Sequence, residues 1–184
     1  MPISDPYGKE WAWPHYRAAA PARVVDVGAG VGRWLDALRE GGPKLYGHPV
    51  HVSHPAHWIA VEVWAPNVET YDLASRYDDV IIGDVRNCWP VLASADLVIL
   101  GDVLEHLPRP DAVALLRRLM DYGTGILVSV PIHGYEQDAI DGNEHERHLW
   151  HPSHVEMLNL VLPDHCTTGD VVGVYWRTKR RVTA

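Results

Sequence analysis

The segment VVDVGAGVGRW places Gly28, Gly30 and Gly32 at alternate positions, with Asp26 two residues before the first glycine. Glycine lets a backbone take positive φ and approach a ligand closely. Where a helix follows such a turn, its first N–H groups are unpaired and carry partial positive charge, which suits a carboxylate or phosphate. The dinucleotide fingerprint is G-x-G-x-x-G, but here the third glycine comes one residue early and Arg33 holds its place. A carboxylate at Asp26 opposes a pyrophosphate and favours a cationic ligand. Further acids close later apolar runs: Glu62 in WIAVEVWAP, Asp84 in VIIGDVRN and Asp102 in LVILGDVLEHLP.

Histidine is the other reactive type. His48, His51, His54 and His57 fall every three residues, as do His145, His148, His151 and His154. Neutral imidazoles bind zinc or nickel. Period three, however, aligns side chains along an extended polyproline-like segment, and the first run contains Pro49 and Pro55. Neither run has the spacing of a structural zinc motif. The expectation is solvated or locally bonded histidines and no metal.

These residues sit on an alternation of apolar runs and amphipathic segments, the pattern of strands and helices in an α/β domain with a parallel sheet. Strands are expected at Arg23–Val27, Trp58–Val63, Val80–Ile82, Leu97–Leu100 and Ile126–Val130. Helices are expected from Val31 to about Glu40, from Pro66 to about Leu73, from Pro110 to Gly123, and from Pro152 to about Leu160. The tail forms an antiparallel hairpin with Val171–Arg177 as its stronger strand. Two long connections stand outside the rhythm, an insertion at 43–57 and a loop at 133–151. Loops of this length are usually functional or mobile. The second leaves the C-terminal end of a strand, where open parallel sheets bind ligands.

With 184 residues, 47% hydrophobic and 22% charged, the chain reads as one globular domain over residues 1–184. No apolar stretch approaches a membrane span. The start MPISDPYGKEW lacks the basic and apolar regions of a secretory signal, so the cytoplasm is expected. Two cysteines are too few for a disulfide scaffold or an all-cysteine zinc site. A net charge of −8 argues against a broad nucleic-acid-binding surface.

From Val24 to Val130 the sequence resembles class I S-adenosylmethionine-dependent methyltransferases, whose first motif is acid-x-G-x-G-x-G. The resemblance implies a Rossmann-like, doubly wound, mostly parallel seven-stranded sheet with an antiparallel C-terminal hairpin and helices on both faces. It implies S-adenosylmethionine as cofactor and S-adenosylhomocysteine as product. Asp26 would orient the methionine ammonium, while Gly28, Ala29, Gly30 and Gly32 would pack on the methionine portion and ribose. Glu62, beside Val63, would accept from the ribose hydroxyls, for which a carboxylate has two oxygens. Asp84 and the Val85 N–H would face the adenine, and Gly101 and Asp102 would close the cavity after the fourth strand. Glu62 lies farther from Gly28 than the roughly 20 residues usual for a ribose-binding acid, a gap that the insertion accounts for. The turn Tyr122-Gly123-Thr124-Gly125 replaces the usual Pro-Gly-Gly.

Methyl transfer from a sulfonium needs alignment and a dry site, and a base only when the acceptor must lose a proton early. The candidates are His106, His148, Tyr135 and Glu136. The run Leu104-Glu105-His106 resembles a stretch common among small-molecule methyltransferases. The loop residues Tyr135, Glu136, Gln137, Gly142, Asn143, Glu146, His148 and Trp150 match a bacterial and phage branch, where they form a lid or fasten the loop. Base-amino methyltransferases carry Asn/Asp-Pro-Pro-aromatic where this chain has Gly101-Asp102-Val103-Leu104, and neither Cys88 nor Cys166 follows a proline as a pyrimidine-attacking cysteine usually does. The expected partner is a small-molecule acceptor, with neither membrane nor nucleic acid. The competing readings are a non-catalytic module that binds S-adenosylmethionine and an NAD(P)-dependent oxidoreductase, the latter opposed by the glycine spacing and Asp26.

Overall fold

The structure, a computed structural model, describes residues 6–40, 44–45, 48–49, 56–134 and 136–180. Seven strands form one sheet: β1 (Arg23–Val27), β2 (His57–Glu62), β3 (Asp79–Ile82), β4 (Leu97–Gly101), β5 (Gly125–Pro131), β6 (His165–Thr168) and β7 (Val172–Arg177). Their order is β3-β2-β1-β4-β5-β7-β6. The first five strands pair in parallel, while β7 runs antiparallel to both β5 and β6. The order reverses between β1 and β4, so the connections leaving those two strands part and open a crevice at their C-terminal ends.

Successive side chains of a strand point to opposite faces, and both faces here are covered. Val25, Val27, Ile59, Val61, Val98 and Leu100 face α5 (Trp89–Ala93), α6 (Arg109–Tyr122) and α7 (His154–Val161), meeting Leu92, Leu116, Leu119 and Met157. Val24, Trp58, Ala60, Leu97 and Ile99 face the other way, towards α1 (Lys9–Ala19), α2 (Arg33–Leu35) and α4 (Leu73–Arg76), meeting Ala12, Tyr16, Trp34 and Leu73. A strand covered on both sides reads as an unbroken apolar run, as LVILG of β4 does.

Acids at the entry to strands clamp the sheet's N-terminal edge. Asp96 Oδ2 accepts from the Ala22 and Arg23 N–H groups at 3.0 and 2.9 Å. Asp78 Oδ2 accepts from the Trp58 N–H at 2.7 Å. These bonds satisfy backbone donors at the start of β1 and β2 that would otherwise have no ladder partner.

Several elements differ from the sequence expectation. Helix α1 was not foreseen, because Pro14 lies inside it and removes one donor. It forms because burying Ala12 and Tyr16 against the sheet outweighs that loss. Its neighbour α2 starts at Arg33 rather than Val31, since Gly32 takes a left-handed conformation, and it continues as a π-helical turn over Asp36–Glu40. The helix expected from Pro66 is two short ones, α3 (Ala65–Thr70) and α4, divided by left-handed Asp72. Helix α7 begins beyond Pro152, after Ser153, whose hydroxyl accepts from the Glu156 N–H at 3.2 Å. Of the 43–57 insertion, only the ribbon Lys44–Leu45 with His48–Pro49 and residues 56–57 are described; His51 and His54 lie outside the described residues. Among the described residues, no helix is long and apolar enough to cross a membrane.

The 133–151 loop is fastened at its far end. Trp150 is buried in the first core, and the Leu149 and Trp150 N–H groups donate to the Glu105 carbonyl at 2.7 and 3.1 Å. Trp150→Ala is expected to cost about 3–5 kcal/mol of stability, read as a lower denaturant midpoint at unchanged slope. An unchanged midpoint would show that this anchor is not part of the cooperative core.

Candidate active site

The glycine loop and the end of β2 are held together by one carboxylate. Gly28, Gly30 and Gly32 all have positive φ, at 63°, 50° and 74°. Glu62 is 3% exposed. Its Oε2 accepts from the Gly30 N–H at 3.1 Å and its Oε1 from the Trp64 N–H at 2.9 Å. A Cβ on Gly30 would meet only the Gly28 carbonyl, at 3.7 Å, so that glycine opens onto free space.

That space is a cavity of about 480 Å³ across the crevice between β1 and β4, within the usual range for a small-molecule site. Its lining includes Gly28, Ala29 and Gly30 after β1, Glu62 and Val63 at the end of β2, Asp84 and Val85 after β3, and Gly101 and Asp102 at the end of β4. The opposite wall comes from the long loop, through Gln137, Asn143, His145, Glu146 and His148. The Gln137 amide donates to the Glu146 carbonyl at 2.6 Å and the His148 N–H to the Gln137 carbonyl at 2.9 Å, which folds the loop upon itself. Trp34 lines the cavity, and its indole fills the place of a side chain on Gly101, where a Cβ would collide with Nε1.

The carboxylates differ in environment. Asp84 caps the turn Val85–Asn87 through the Arg86 N–H and grips the Arg86 guanidinium, which holds its carboxyl below the usual range. Asp102 has a left-handed φ of 55°, and the Ser129 hydroxyl donates to its Oδ1 at 2.9 Å. Glu105 is 1% exposed, and its Oε2 has no hydrogen-bond partner among the described residues. Burial first, then the neighbouring Asp102 charge, push its carboxyl well above the ordinary range. Burial and nearby Glu62 raise Glu146. His106 Nδ1 lies 3.2 Å from the Arg147 carbonyl, and burial lowers its pKa to about 4, so its ring is neutral at physiological pH. The His106 and His148 ring centroids are 4.9 Å apart.

Three expected site residues are not brought to the cavity, and a fourth lies outside the described residues. Asp26 is buried with its Oδ2 accepting from the Tyr77 hydroxyl at 2.6 Å. Strand alternation turns it towards α1 and α4, away from the cavity lining. Gly32 serves the helix start instead: its N–H donates to the Ala29 carbonyl at 2.7 Å, and a Cβ would collide with the Arg76 guanidinium. Glu136 is exposed and lines nothing, while Tyr135 lies outside the described residues. The second histidine run also disperses: His148 meets His106, His151 is exposed, and His154 Nδ1 shares a 2.8 Å hydrogen bond with the Tyr175 hydroxyl. Sequence reasoning did not nominate Glu105, Trp34 or Arg33, all of which line the cavity. An acid flanked by Val103, Leu104 and Leu107 directly after β4 was the available signal for the first.

A family model described as a methyltransferase domain matches residues 10–161. The chain belongs to the methyltransferase domain family. Its structural neighbours include the N-terminal domain of EvdMO1 with SAH bound, at 16% identity and a TM-score of 0.62, covering 96% of this chain and 83% of that one. Human N-acetylserotonin methyltransferase in complex with SAM aligns at 15% identity and a TM-score of 0.61, covering 95% of this chain and 52% of the human one. An O-methyltransferase family protein from Burkholderia thailandensis aligns at 12% identity and a TM-score of 0.54, covering 95% and 58%. These likenesses show the shared fold. Among curated proteins, none matches the sequence.

This methyltransferase carries a titration-linked load beside its glycine loop. Burial raises the Asp26 carboxyl from 3.8 to about 7, against the lowering effects of the Tyr77 hydroxyl, Lys9 and Arg76, with Glu62 adding to the rise. Between those values the native state holds a proton that the unfolded chain has released, so stability falls as pH rises from about 4 to 7 and is level above. In Asp26→Asn this slope is absent. The variant's unfolding free energy relative to wild type should therefore improve by about 2–4 kcal/mol between pH 4 and pH 8. Denaturant titrations at the two pH values check this, and a difference that does not change with pH would refute it.

Proposed function

We propose that this S-adenosylmethionine-dependent methyltransferase moves a methyl group to an oxygen or nitrogen of a small-molecule acceptor, within one domain spanning residues 1–184. The observation that carries the reading is the Glu62 bridge. A buried carboxylate bonded to the glycine loop keeps unused lone pairs at the cavity, where Asp84 and Asp102 also stand at strand ends.

The residues suit the cofactor. Gly28, Ala29 and Gly30 offer bare backbone to its methionine and ribose, Glu62 accepts from the ribose hydroxyls, and Asp84 with Val85 faces the adenine. The buried Trp34 Nε1, unpartnered among the described residues, is a further donor at the cavity. A wall rich in carboxylates attracts a ligand carrying sulfonium and ammonium charges. When bound, the cofactor supplies a methyl group on a positively charged sulfur. Transfer by in-line displacement would need the acceptor aligned opposite the sulfur, and an acceptor proton, where one is lost, would pass to a neutral base or water. His106 and His148 stand where they meet the acceptor, and the loop carrying His148 excludes water. Asp26, turned towards Tyr77, supports the fold of this site without touching the ligand. The free Cys88 and Cys166 fit a cytoplasmic setting.

S-adenosylhomocysteine and S-adenosylmethionine are each expected to raise the melting temperature. Glu62→Ala, and more mildly Glu62→Gln, should weaken S-adenosylhomocysteine binding by about 10- to 100-fold in calorimetry. Absence of a thermal shift with either ligand would overturn the reading.

A further inference from the structure

Glu105, His106 and His148 share one wall of the cavity and have no assigned contact to the cofactor. One ligand atom from each lies within 4.8 Å of those of the other two. The Glu105 carboxyl is almost fully buried, and one of its oxygens has no hydrogen-bond partner among the described residues. Such a group is costly to leave desolvated and unpaired. The Arg147 carbonyl can only accept, so the hydrogen on the His106 ring sits at Nδ1, and Nε2 keeps its lone pair. A histidine that donates one ring N–H to a backbone carbonyl and presents the other nitrogen is the arrangement found at metal ligands.

We propose that Glu105, His106 and His148 bind one divalent transition-metal ion of the zinc class on the wall of the cofactor cavity. Two neutral imidazoles and a carboxylate are a donor set suited to zinc and its first-row neighbours. Hard ions such as magnesium prefer oxygen donors. The carboxylates of Asp102 and Glu146 act on Glu105 from nearby and add attraction for a cation. Zinc bonds of about 2.0–2.1 Å hold tetrahedral donors about 3.4 Å apart, so the three side chains draw in by about an ångström. The backbone already ties them: the Leu149 and Trp150 N–H groups bond the Glu105 carbonyl, which holds the segment after His148 beside Glu105 and His106. An acceptor hydroxyl that reached such an ion from the cavity would lose its proton more easily, with His106 and His148 acting through the ion rather than as bases. That consequence rests on the methyltransferase reading; the binding site does not.

The full chain, stripped with a chelator and re-equilibrated with zinc chloride, should hold one tightly bound zinc by elemental analysis. Cobalt chloride in its place should give visible d–d absorption of a low-coordinate site. Glu105→Gln and His148→Ala should each weaken zinc binding at least tenfold. A His51→Ala/His54→Ala double variant should keep the single tight zinc, because it leaves all three proposed ligands in place. Retention of the S-adenosylhomocysteine thermal shift by His148→Ala shows that the variant is folded. Zinc binding that is absent, that is unaffected in His148→Ala, or that disappears with His51 and His54 overturns the site. The thermal shift is measured on zinc-free wild type, so failure of cofactor binding is seen separately from failure of the metal site.

Discussion

The site depends on how the Glu62 side chain spends its two oxygens. One takes the Gly30 N–H and the other the Trp64 N–H. Both donors belong to segments leaving parallel strands, where the ladder has ended and backbone groups have no strand partner. A single buried carboxylate thus closes the glycine loop over the end of β2 and sets the floor of the cavity. It is tolerated in the interior because each of its oxygens accepts a backbone hydrogen bond. The same geometry leaves lone pairs at the cavity, so the group that stabilises its floor also lines it.

The two ends of the sheet use the same residue type in different ways. Asp96 and Asp78, at entries to strands, bind the backbone of neighbouring strands and complete the fold. Glu62, Asp84, Asp102 and Glu105, at or beyond the exits, gather round a cavity. Burial, and after it the charge of one sign gathered there, displaces the Glu105 and Glu146 carboxyls upward. A cationic ligand offsets that charge on binding.

Much of the site was legible because a parallel sheet brings its exits to one edge. An acid that ends an apolar run must arrive at that edge, whatever the length of the intervening chain; Glu62 does so despite the insertion before β2. Asp26 shows the limit of this logic. It lies inside β1, one residue before the strand ends, and the two-residue period turns it to the other face, where Tyr77 takes it. The histidine runs show a second limit. Their regular spacing has no structural meaning once the loop folds, for His148 and His154 meet partners from different elements. Helix α1 was missed for a third reason: its Pro14 is a local penalty that only tertiary burial repays.

By itself, the sequence determined the alternation of strands and helices, the glycine turn after β1 and the acids at strand ends, since these follow from periodicity and backbone freedom within a few residues. Only the tertiary structure decided which acid faces the cavity, that Trp34 fills the space over Gly101, and that Glu105 and His106 meet His148 from a loop some forty residues later. Those contacts join segments distant in sequence, and their geometry is set by how β4, β5 and the buried Trp150 pack. No local pattern carries that information, because it belongs to the assembled core.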